Sequence, residues 1–199
     1  MYFLSAICAV LVGCSAATTQ SPTHEATNRT AVSLIGNDPI SFFDLPVVTP
    51  VSPLLVSPSD VETIRRTLSR YSLAIDGKNF AALSLIFTSN AVANYSAPLN
   101  VLTPLTTIQS ALEASLMPVT TQHLLGTQFI DILSPTSAFS VSYFTATHFG
   151  KDVYLGEIVT AYGQYQDMWI RQKNLNWKIT HRNLLYMGPL IGNLSIFLG

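Results

Sequence analysis

The sequence has 199 residues, which is enough for one domain with a single core. Of these residues 48% are hydrophobic and only 11% are charged, against roughly a quarter in an average protein, and the formal net charge is -1. This balance excludes the basic surface that nucleic acid or an anionic membrane requires, and it favours a small apolar molecule as the partner.

The chain begins with an apolar stretch that is typical of a secretory signal peptide. Residues 1–17 hold an apolar run that is too short to span a bilayer and that ends in small residues. We therefore predict cleavage near Ala16 or Ala17 and a secreted mature protein with no membrane span, although no Lys or Arg precedes the run. The alternative is a bacterial lipobox that would leave Cys14 lipidated.

Sequons and cysteines bear on the same question. Asn28, Asn94 and Asn193 each begin an N-glycosylation sequon, which predicts a secreted glycoprotein. Cys8 and Cys14, the only cysteines, both lie in the predicted signal peptide. The mature protein is therefore expected to have no disulfide, no thiol nucleophile and no Cys-ligated metal.

Residues 18–58 are rich in Ser, Thr and Pro, and the prolines prevent a long helix or a central strand. We interpret this segment as an extended arm or linker that is poorly packed, followed by a folded domain over 59–190. The segment also contains apolar patches, so the alternative is that these patches lie on the domain. The patches are Leu34–Ile35, Phe42–Phe43 and Leu54–Val56.

The first element of the domain is an amphipathic helix. Ser59 and Glu62 form a capping box at its start. Apolar residues then recur at alternating steps of three and four from Val61 to Ile75, which predicts one buried stripe. Gly77 is expected to end the helix in a left-handed conformation.

Two more helices and a sheet follow. Four long strands joined by short turns are predicted in the C-terminal half. Gly156 and Gly163 in the third strand suggest bulges that bend the sheet. Helices followed by antiparallel strands indicate an α+β fold with an apolar interior. The predicted elements are helices over 79–87 and from Pro104 to Pro118, a short strand over 91–95, and long strands over 120–133, 138–149, 153–171 and 177–187.

His123 is the first candidate functional residue. It is a titratable group inside an otherwise apolar strand, where an imidazole requires a hydrogen-bond partner. On this residue alone the alternative is a buried histidine that bonds a backbone carbonyl and has no other role.

The order of the elements and several motifs resemble the SnoaL-like proteins of the nuclear-transport-factor-2 superfamily. The resemblance covers about Ser59 to Met187 and is carried by Gly163–Asp167, Arg171, Trp177–Ile179 and Arg182. It implies a cone-shaped α+β barrel, in which three N-terminal helices pack on a strongly bent, mostly antiparallel sheet. A homodimer is a further expectation of the resemblance.

Four positions are similar to the catalytic residues of the scytalone dehydratase-like family. His123, in Thr121–Gly126, and His148, in Thr147–Phe149, fall where the two catalytic histidines of that family lie. Asp76 matches the aspartate that pairs with the second histidine, which here is His148. Tyr95 matches a tyrosine that holds the substrate carbonyl through water. The resemblance implies acid/base chemistry with no cofactor and no metal.

Five further positions are expected to contact the substrate. Phe144 and Tyr162 are aromatic residues that fill the core or line the pocket. Ile75 stands where the dehydratase has a second tyrosine, and Gln164 and Gln166 fall near its Ser and Asn pair. These differences argue against scytalone itself as the substrate, as does the poor match of residues 188–199 to the dehydratase lid.

The predicted function is a secreted dehydratase, isomerase or cyclase that acts on a small cyclic carbonyl-bearing natural product, such as a polyketide or terpenoid. A noncatalytic binding protein, or a catalyst of pericyclic cyclisation by confinement, would need the same apolar pocket. A metal site built from His123, His148, His181 and Asp76 has no paired-histidine spacing to support it. A serine hydrolase would need a Gly-x-Ser-x-Gly motif, which the sequence lacks.

Overall fold

The computed structural model describes residues 39–47, 57–174 and 176–198. The predicted signal peptide over 1–17, the sequon at Asn28 and most of the arm over 18–58 lie outside these ranges. Within them, none of the helices combines the length and apolar character needed to cross a bilayer.

The first helix, α1 (Pro58–Asp76), begins with a cap different from the predicted one. The Ser57 side chain accepts a hydrogen bond from the backbone N–H of Asp60 at 3.3 Å, and Pro58 occupies the first turn, where no N–H is needed. The predicted capping box of Ser59 and Glu62 is therefore wrong, and Glu62 instead pairs with Arg65 at 2.9 Å.

The end of α1 also differs from the prediction. Gly77 has a φ of -77°, and Lys78 takes the left-handed φ of 57°. The N–H of Asn79 bonds the carbonyl of Ala74 and the N–H of Lys78 bonds that of Ile75, which is the paired pattern of a left-handed helix end. Lys78 thus takes the position predicted for Gly77, in a conformation uncommon for a residue with a Cβ.

Within the described residues, four elements lie between α1 and the long strands. The predicted helix over 79–87 is a 3₁₀ helix (Phe80–Leu85), and Phe87 already belongs to β1 (Phe87–Asn94). A two-residue strand, β2 (Val101–Leu102), precedes α2 (Leu105–Leu116), which buries Leu105, Ile108, Leu112 and Leu116 as predicted.

One mixed sheet contains all seven strands. Its order is β2-β1-β6-β5-β4-β3, with β7 paired to β5. Every pair is antiparallel except β1 with β6, so the α+β class and the mostly antiparallel sheet are confirmed. The remaining strands are β3 (Thr120–Ser134), β4 (Ser137–Phe149), β5 (Ile158–Arg171), β6 (Trp177–Tyr186) and β7 (Ile191–Gly192).

The strong bend predicted from two glycines is wrong, because the sheet is not strongly curled. Gly156 lies in a turn before β5, and Gly163 pairs with Phe144 within an unbroken β4–β5 register. Register shifts occur elsewhere, between Leu125 and Gln128 of β3 and between Met168 and Trp169 of β5. The third long strand also starts at Ile158 instead of residue 153, after a 3₁₀ turn.

The main core lies between the helices and one face of the sheet, which we call the inner face. The opposite, outer face carries a smaller cluster in which Ile40 is buried with Phe139 and Val141. The Gln166 side chain accepts from the Ile40 N–H and donates to the Ile40 carbonyl, both at 2.7 Å. At Ile40, therefore, the arm that was predicted to pack poorly lies on the domain.

Candidate active site

A cavity of about 390 Å³ opens between the helices and the inner face. Its walls come from α1, α2, four of the strands and the C-terminal residues, and they are mostly apolar. No Asp, Glu, Lys or Arg is among the described residues that line it. The polar groups on its walls are His123, His148, Tyr71, Tyr95, Tyr165, Tyr186 and Ser115.

The two histidines predicted to face one cavity do so. His123 on β3 pairs with Ala146, and His148 on β4 pairs with Thr121, so the two side chains are two residues apart across one strand pair. Alternation along the strands directs both to the inner face. Their ring centroids are 6.2 Å apart at an interplanar angle of 79°.

Asp76 pairs with His123, and the predicted pairing with His148 is wrong. Asp76 is the last residue of α1, and its carboxylate lies against the start of β3. It accepts hydrogen bonds from His123 Nδ1 at 2.7 Å, from the His123 backbone N–H at 2.8 Å and from Thr121 Oγ1 at 2.9 Å. Which histidine meets the carboxylate depends on how the helix end packs on the sheet, which strand order alone does not specify.

These hydrogen bonds fix the ionisation of Asp76 and the tautomer of His123. Burial alone would raise the pKa of Asp76, but the bonds from His123 and Thr121 outweigh it and lower that pKa. A carboxylate can only accept, so the neutral His123 carries its proton on Nδ1 and leaves Nε2 basic. The His123 side chain is only 7% exposed. This arrangement is that of a general base oriented by a carboxylate.

His148 has a different environment. Its Nδ1 lies 3.2 Å from the backbone carbonyl of Val159 on β5, and a carbonyl only accepts, so this nitrogen carries the proton. Burial, with a smaller effect from His123, lowers the pKa of His148 to about 4. The ring is therefore neutral near pH 7, and its Nε2 can accept a hydrogen bond. The ring of Phe197 packs against it, with centroids 5.1 Å apart.

Tyr95 forms a hydroxyl pair with Tyr71 of α1, and the two oxygens are 3.2 Å apart. Burial raises the pKa of Tyr95 well above its usual value, so the phenol stays protonated. Two hydroxyls carry two protons, and only one of these is used between them. The other proton has no acceptor recorded among the described residues, so it can be donated to a group in the cavity.

An ion pair that sequence reasoning did not assign to the site lies behind this hydroxyl pair. Arg182 binds Asp167 through two hydrogen bonds of 2.7 and 2.8 Å, and both side chains are fully buried. The guanidinium lies 4.1 Å from the ring centroids of Tyr71 and Tyr165. The signal available in the sequence was two charged residues at inward strand positions of a chain with few charges.

Of the five predicted substrate-binding residues, only Phe144 lines the cavity, where it stacks on Tyr165 at a centroid distance of 4.5 Å. Ile75 does not line it, because its side chain is fully buried in the core under α1. An isoleucine at this helix position completes the packing and leaves no surface for a ligand.

The other three predictions, Tyr162, Gln164 and Gln166, are wrong because these side chains lie on the outer face. Alternation along β5 brings Ala161 and Tyr165 to the cavity, and the alternate positions 162, 164 and 166 point the opposite way. Tyr162 is exposed, Gln166 holds Ile40, and both polar side-chain atoms of Gln164 are buried without a hydrogen bond. These three residues thus lie on the face of β5 opposite to the one predicted.

The C-terminal residues contribute to the cavity in a way the sequence did not reveal. After β7 the chain forms a 3₁₀ helix (Leu194–Leu198), and Leu190, Phe197 and Leu198 are among the lining residues. The available signal was the apolar run at 196–198, which follows a domain that the sequence predicted to end at residue 190.

Across the described ranges, no group of three or more His, Cys, Asp and Glu side chains is arranged to hold a metal ion. Asn94 and Asn193 each accept a hydrogen bond from the backbone N–H of the serine two residues later, and both are partly exposed. Glycosylation at these positions and at Asn28 stays a prediction.

Known proteins share this architecture. Residues 57–183 match the model of a protein family described as the SnoaL-like domain. A candidate aromatic ring hydroxylase from Novosphingobium aromaticivorans is 22% identical with a TM-score of 0.62, over 71% of this chain and 98% of its own. A candidate scytalone dehydratase from the same organism is 22% identical with a TM-score of 0.59, over 68% of this chain and 88% of its own.

A hexachlorocyclohexane dehydrochlorinase, LinA type 2, is 12% identical with a TM-score of 0.60, over 70% of this chain and 95% of its own. A comparison with curated protein sequences found no match. At these identities the solved structures share a fold with this chain, and their names describe different reactions, so the fold does not specify the chemistry.

Proposed function

The chain belongs to the SnoaL-like domain family, and we propose that it is a cofactor-independent acid/base enzyme, a dehydratase, isomerase or cyclase. The observation that carries this proposal is the His123–Asp76 pair, which is held by three hydrogen bonds around the carboxylate and faces an apolar cavity. Two of the similar structures bear the names of elimination enzymes, a dehydratase and a dehydrochlorinase, which agrees with such chemistry.

The proposed reaction begins with proton removal next to a carbonyl. Nε2 of His123 takes the proton, and the resulting imidazolium is balanced by the Asp76 carboxylate. The electron pair moves onto the carbonyl oxygen. This oxygen accepts a hydrogen bond from the Tyr71–Tyr95 pair, through the hydroxyl proton that the pair does not use internally. His123 then returns its proton, either to a β-hydroxyl that leaves as water or to another carbon of the enolate.

His148 has a supporting role in this scheme, and it differs from the one that the sequence predicted. With a pKa of about 4, His148 is neutral near pH 7, so it is a poor proton donor at that pH. Its Nε2 is suited to accept a hydrogen bond from a substrate hydroxyl and so to orient it towards His123. Proton transfer is thereby assigned to one histidine, and substrate orientation to the other.

The substrate class follows from the cavity. A volume of about 390 Å³ lies in the range of roughly 300–1,000 Å³ that accommodates small organic ligands. Because none of the described residues that line it carries a charge, a phosphate or carboxylate would lose hydration without compensation. We therefore propose a neutral cyclic natural product, such as a polyketide or terpenoid, that bears one carbonyl and one hydroxyl.

The test uses a compound that reports proton removal by a base in the cavity, so the natural substrate need not be known. 5-Nitrobenzisoxazole is a neutral bicyclic compound that releases a coloured phenolate when a base removes its ring proton. We expect the wild type to accelerate this reaction and His123→Ala to lose most of the acceleration. His181→Ala is the matched control, because His181 does not line the cavity.

The outcomes separate the candidate functions. Equal rates for the wild type and His123→Ala would contradict the proposed base. If the probe binds the cavity without turnover in any variant, the protein is instead a small-molecule-binding protein, or a catalyst of pericyclic cyclisation by confinement. Binding is measured separately, by the change in intrinsic protein fluorescence on titration with the probe.

We further propose that the protein is secreted after removal of residues 1–17, as the apolar start and the sequons predict. Intact-mass measurement of protein recovered from the culture medium of a eukaryotic host tests this. A species that keeps residues 1–17 and stays in the cell would contradict it.

A further inference from the structure

We propose that Lys78 is a positioning residue for the His123–Asp76 pair and that it acts through Thr121. This inference rests on the proposed function, in which His123 is the base. Lys78 is not among the residues that line the cavity, so its effect on a substrate must pass through other side chains.

The hydrogen bonds form a continuous path. Lys78 Nζ donates to Thr121 Oγ1 at 3.0 Å, and Thr121 Oγ1 donates to Asp76 Oδ1 at 2.9 Å. Asp76 Oδ1 also accepts from His123 Nδ1 at 2.7 Å. Because an ammonium group has donors only, it must use a lone pair of the threonine oxygen. The threonine proton is then left to point at the carboxylate, which is thereby fixed for His123.

The backbone supports a functional reason for Lys78. The residue has a φ of 57°, a left-handed conformation that glycine and asparagine adopt at much lower cost than lysine. A glycine lies immediately before it, yet the strained position falls on the lysine. Residues held in such conformations cluster at functional sites. Here the conformation places a long side chain at the end of α1, where it bonds β3.

Charges around the ammonium group give it a distinctive pH response. The titratable groups that act on it are Asp76 of α1, His148 of β4 and Lys151 of the following loop, and Thr121 of β3 accepts its hydrogen bond. Burial, with a smaller effect from Lys151, lowers the pKa of Lys78 to about 8, and Asp76 opposes this change. Lys78 therefore loses its charge only slightly above neutral pH, and its bond to Thr121 weakens there.

Two substitutions separate positioning from a purely structural tether. Lys78→Met keeps the aliphatic stem and removes the donor. Lys78→Asn replaces the ammonium group with a shorter, neutral amide and suits the left-handed backbone. We expect each to lower the rate with 5-nitrobenzisoxazole by about 10- to 100-fold, since small misplacements of a catalytic group have effects of this size. The melting temperature of Lys78→Asn should equal or exceed that of the wild type.

The pH profile supplies a readout that a structural role would not move. The wild-type rate should fall as pH rises through about 8, the pKa of Lys78, and this step should be absent from Lys78→Met. Lys178→Met is the matched control, because Lys178 also donates one hydrogen bond, to the Ser84 carbonyl at 2.7 Å, and does not line the cavity. It should keep both the rate and the step.

Three results would overturn the inference, and they are distinguishable. Wild-type rates in both Lys78 variants, together with an inactive His123→Ala, would remove the role of Lys78 and leave the proposed function intact. A step near pH 8 that persists in Lys78→Met would assign that titration to another group and remove the inference. Full activity of His123→Ala would overturn the inference and the proposed function together.

Discussion

The carboxylate of Asp76 orients His123, the proposed base, and at the residue scale its charge is the first quantity to test. Asp76→Asn keeps the shape of the side chain and can still accept the His123 backbone N–H. It removes the charge that balances an imidazolium, so we expect the rate with 5-nitrobenzisoxazole to fall on the order of 100-fold or more. Circular dichroism should stay unchanged, and a rate within twofold of the wild type would contradict the role.

His148 makes stability depend on pH. An unfolded histidine binds its proton near 6.5, whereas folded His148 binds one only near pH 4. Between these values the unfolded state holds more protons, so stability is complete above about pH 6.5 and is lost as pH falls towards 4. The full loss is about 3 kcal/mol, from a difference of some 2.5 pKa units at 1.36 kcal/mol each.

The measurement compares the free energy of unfolding at pH 7 and pH 4.5, by urea titration of the wild type and of His148→Asn. Asp76, whose pKa is lowered, changes stability in the same direction in both proteins, so the difference between them isolates His148. An equal pH dependence in the two proteins would contradict the neutral buried histidine.

At the residue scale, the sequence predicted which residues face the cavity better than it predicted their hydrogen-bond partners. His123, His148 and Tyr95 face the cavity, since strand alternation and a match of short motifs suffice to place them there. The partner of Asp76 was mispredicted because it depends on the docking of α1 on β3, which is a property of tertiary packing. Gln164 and Gln166 were assigned to the wrong face of β5, because successive strand residues point to opposite faces and a motif match does not establish which set faces the cavity.

At the element scale, the start of α1 is defined by its cap. Ser57, not Ser59, accepts the N–H of Asp60, and substitution of a capping serine by alanine typically costs about 1 kcal/mol. We expect Ser57→Ala to lower the free energy of unfolding by this amount in urea titration. Ser59→Ala is the control and should change it by less than about 0.5 kcal/mol.

The opposite order of effects, with the larger loss in Ser59→Ala, would restore the capping box that the sequence predicted. Helical periodicity alone could not distinguish the two serines, since both precede the same apolar stripe. Pro58 decides between them, because its ring suits the first helical turn and places the cap at the residue before it.

Strand propensity also had limits at this scale. Val153 and Tyr154 are typical strand residues, yet they form a 3₁₀ turn, in which the N–H of Tyr154 bonds the carbonyl of Lys151. The N–H of Gly150 bonds the carbonyl of Glu157 and closes the loop. The strand therefore resumes only at Ile158, where pairing with Phe149 begins.

At the scale of the whole molecule, the helix–sheet layout was predictable and the shape of the sheet was not. Helical and alternating periodicities, with turns between them, specify an α+β class and its order of elements. The curvature of a sheet depends on where bulges form, and the register shifts are not at the glycines that suggested them. They lie at Phe87–Val92, Leu125–Gln128, Ile132–Ser134 and Met168–Trp169. The cavity lies between the helices and the sheet, so the predicted helix–sheet layout was enough to predict it.

The Asp167–Arg182 pair connects the two halves of this layout. It joins β5 to β6, and Arg182 also lies over the ring of Tyr71 on α1, in the interior of a chain with few charges. Removing one member of such a pair strands the other in a dry environment. We expect Asp167→Ala to lower the free energy of unfolding by about 3–5 kcal/mol in urea titration.

A matched double variant distinguishes the cost of a stranded charge from a direct contribution of the pair. Asp167→Leu with Arg182→Met removes both charges at similar volume, and such replacements are often neutral or stabilising. We expect the double variant to regain most of the stability that Asp167→Ala loses. If it is no more stable than Asp167→Ala, the pair itself holds the helices on the sheet, because the loss cannot then be the penalty of an unpaired arginine.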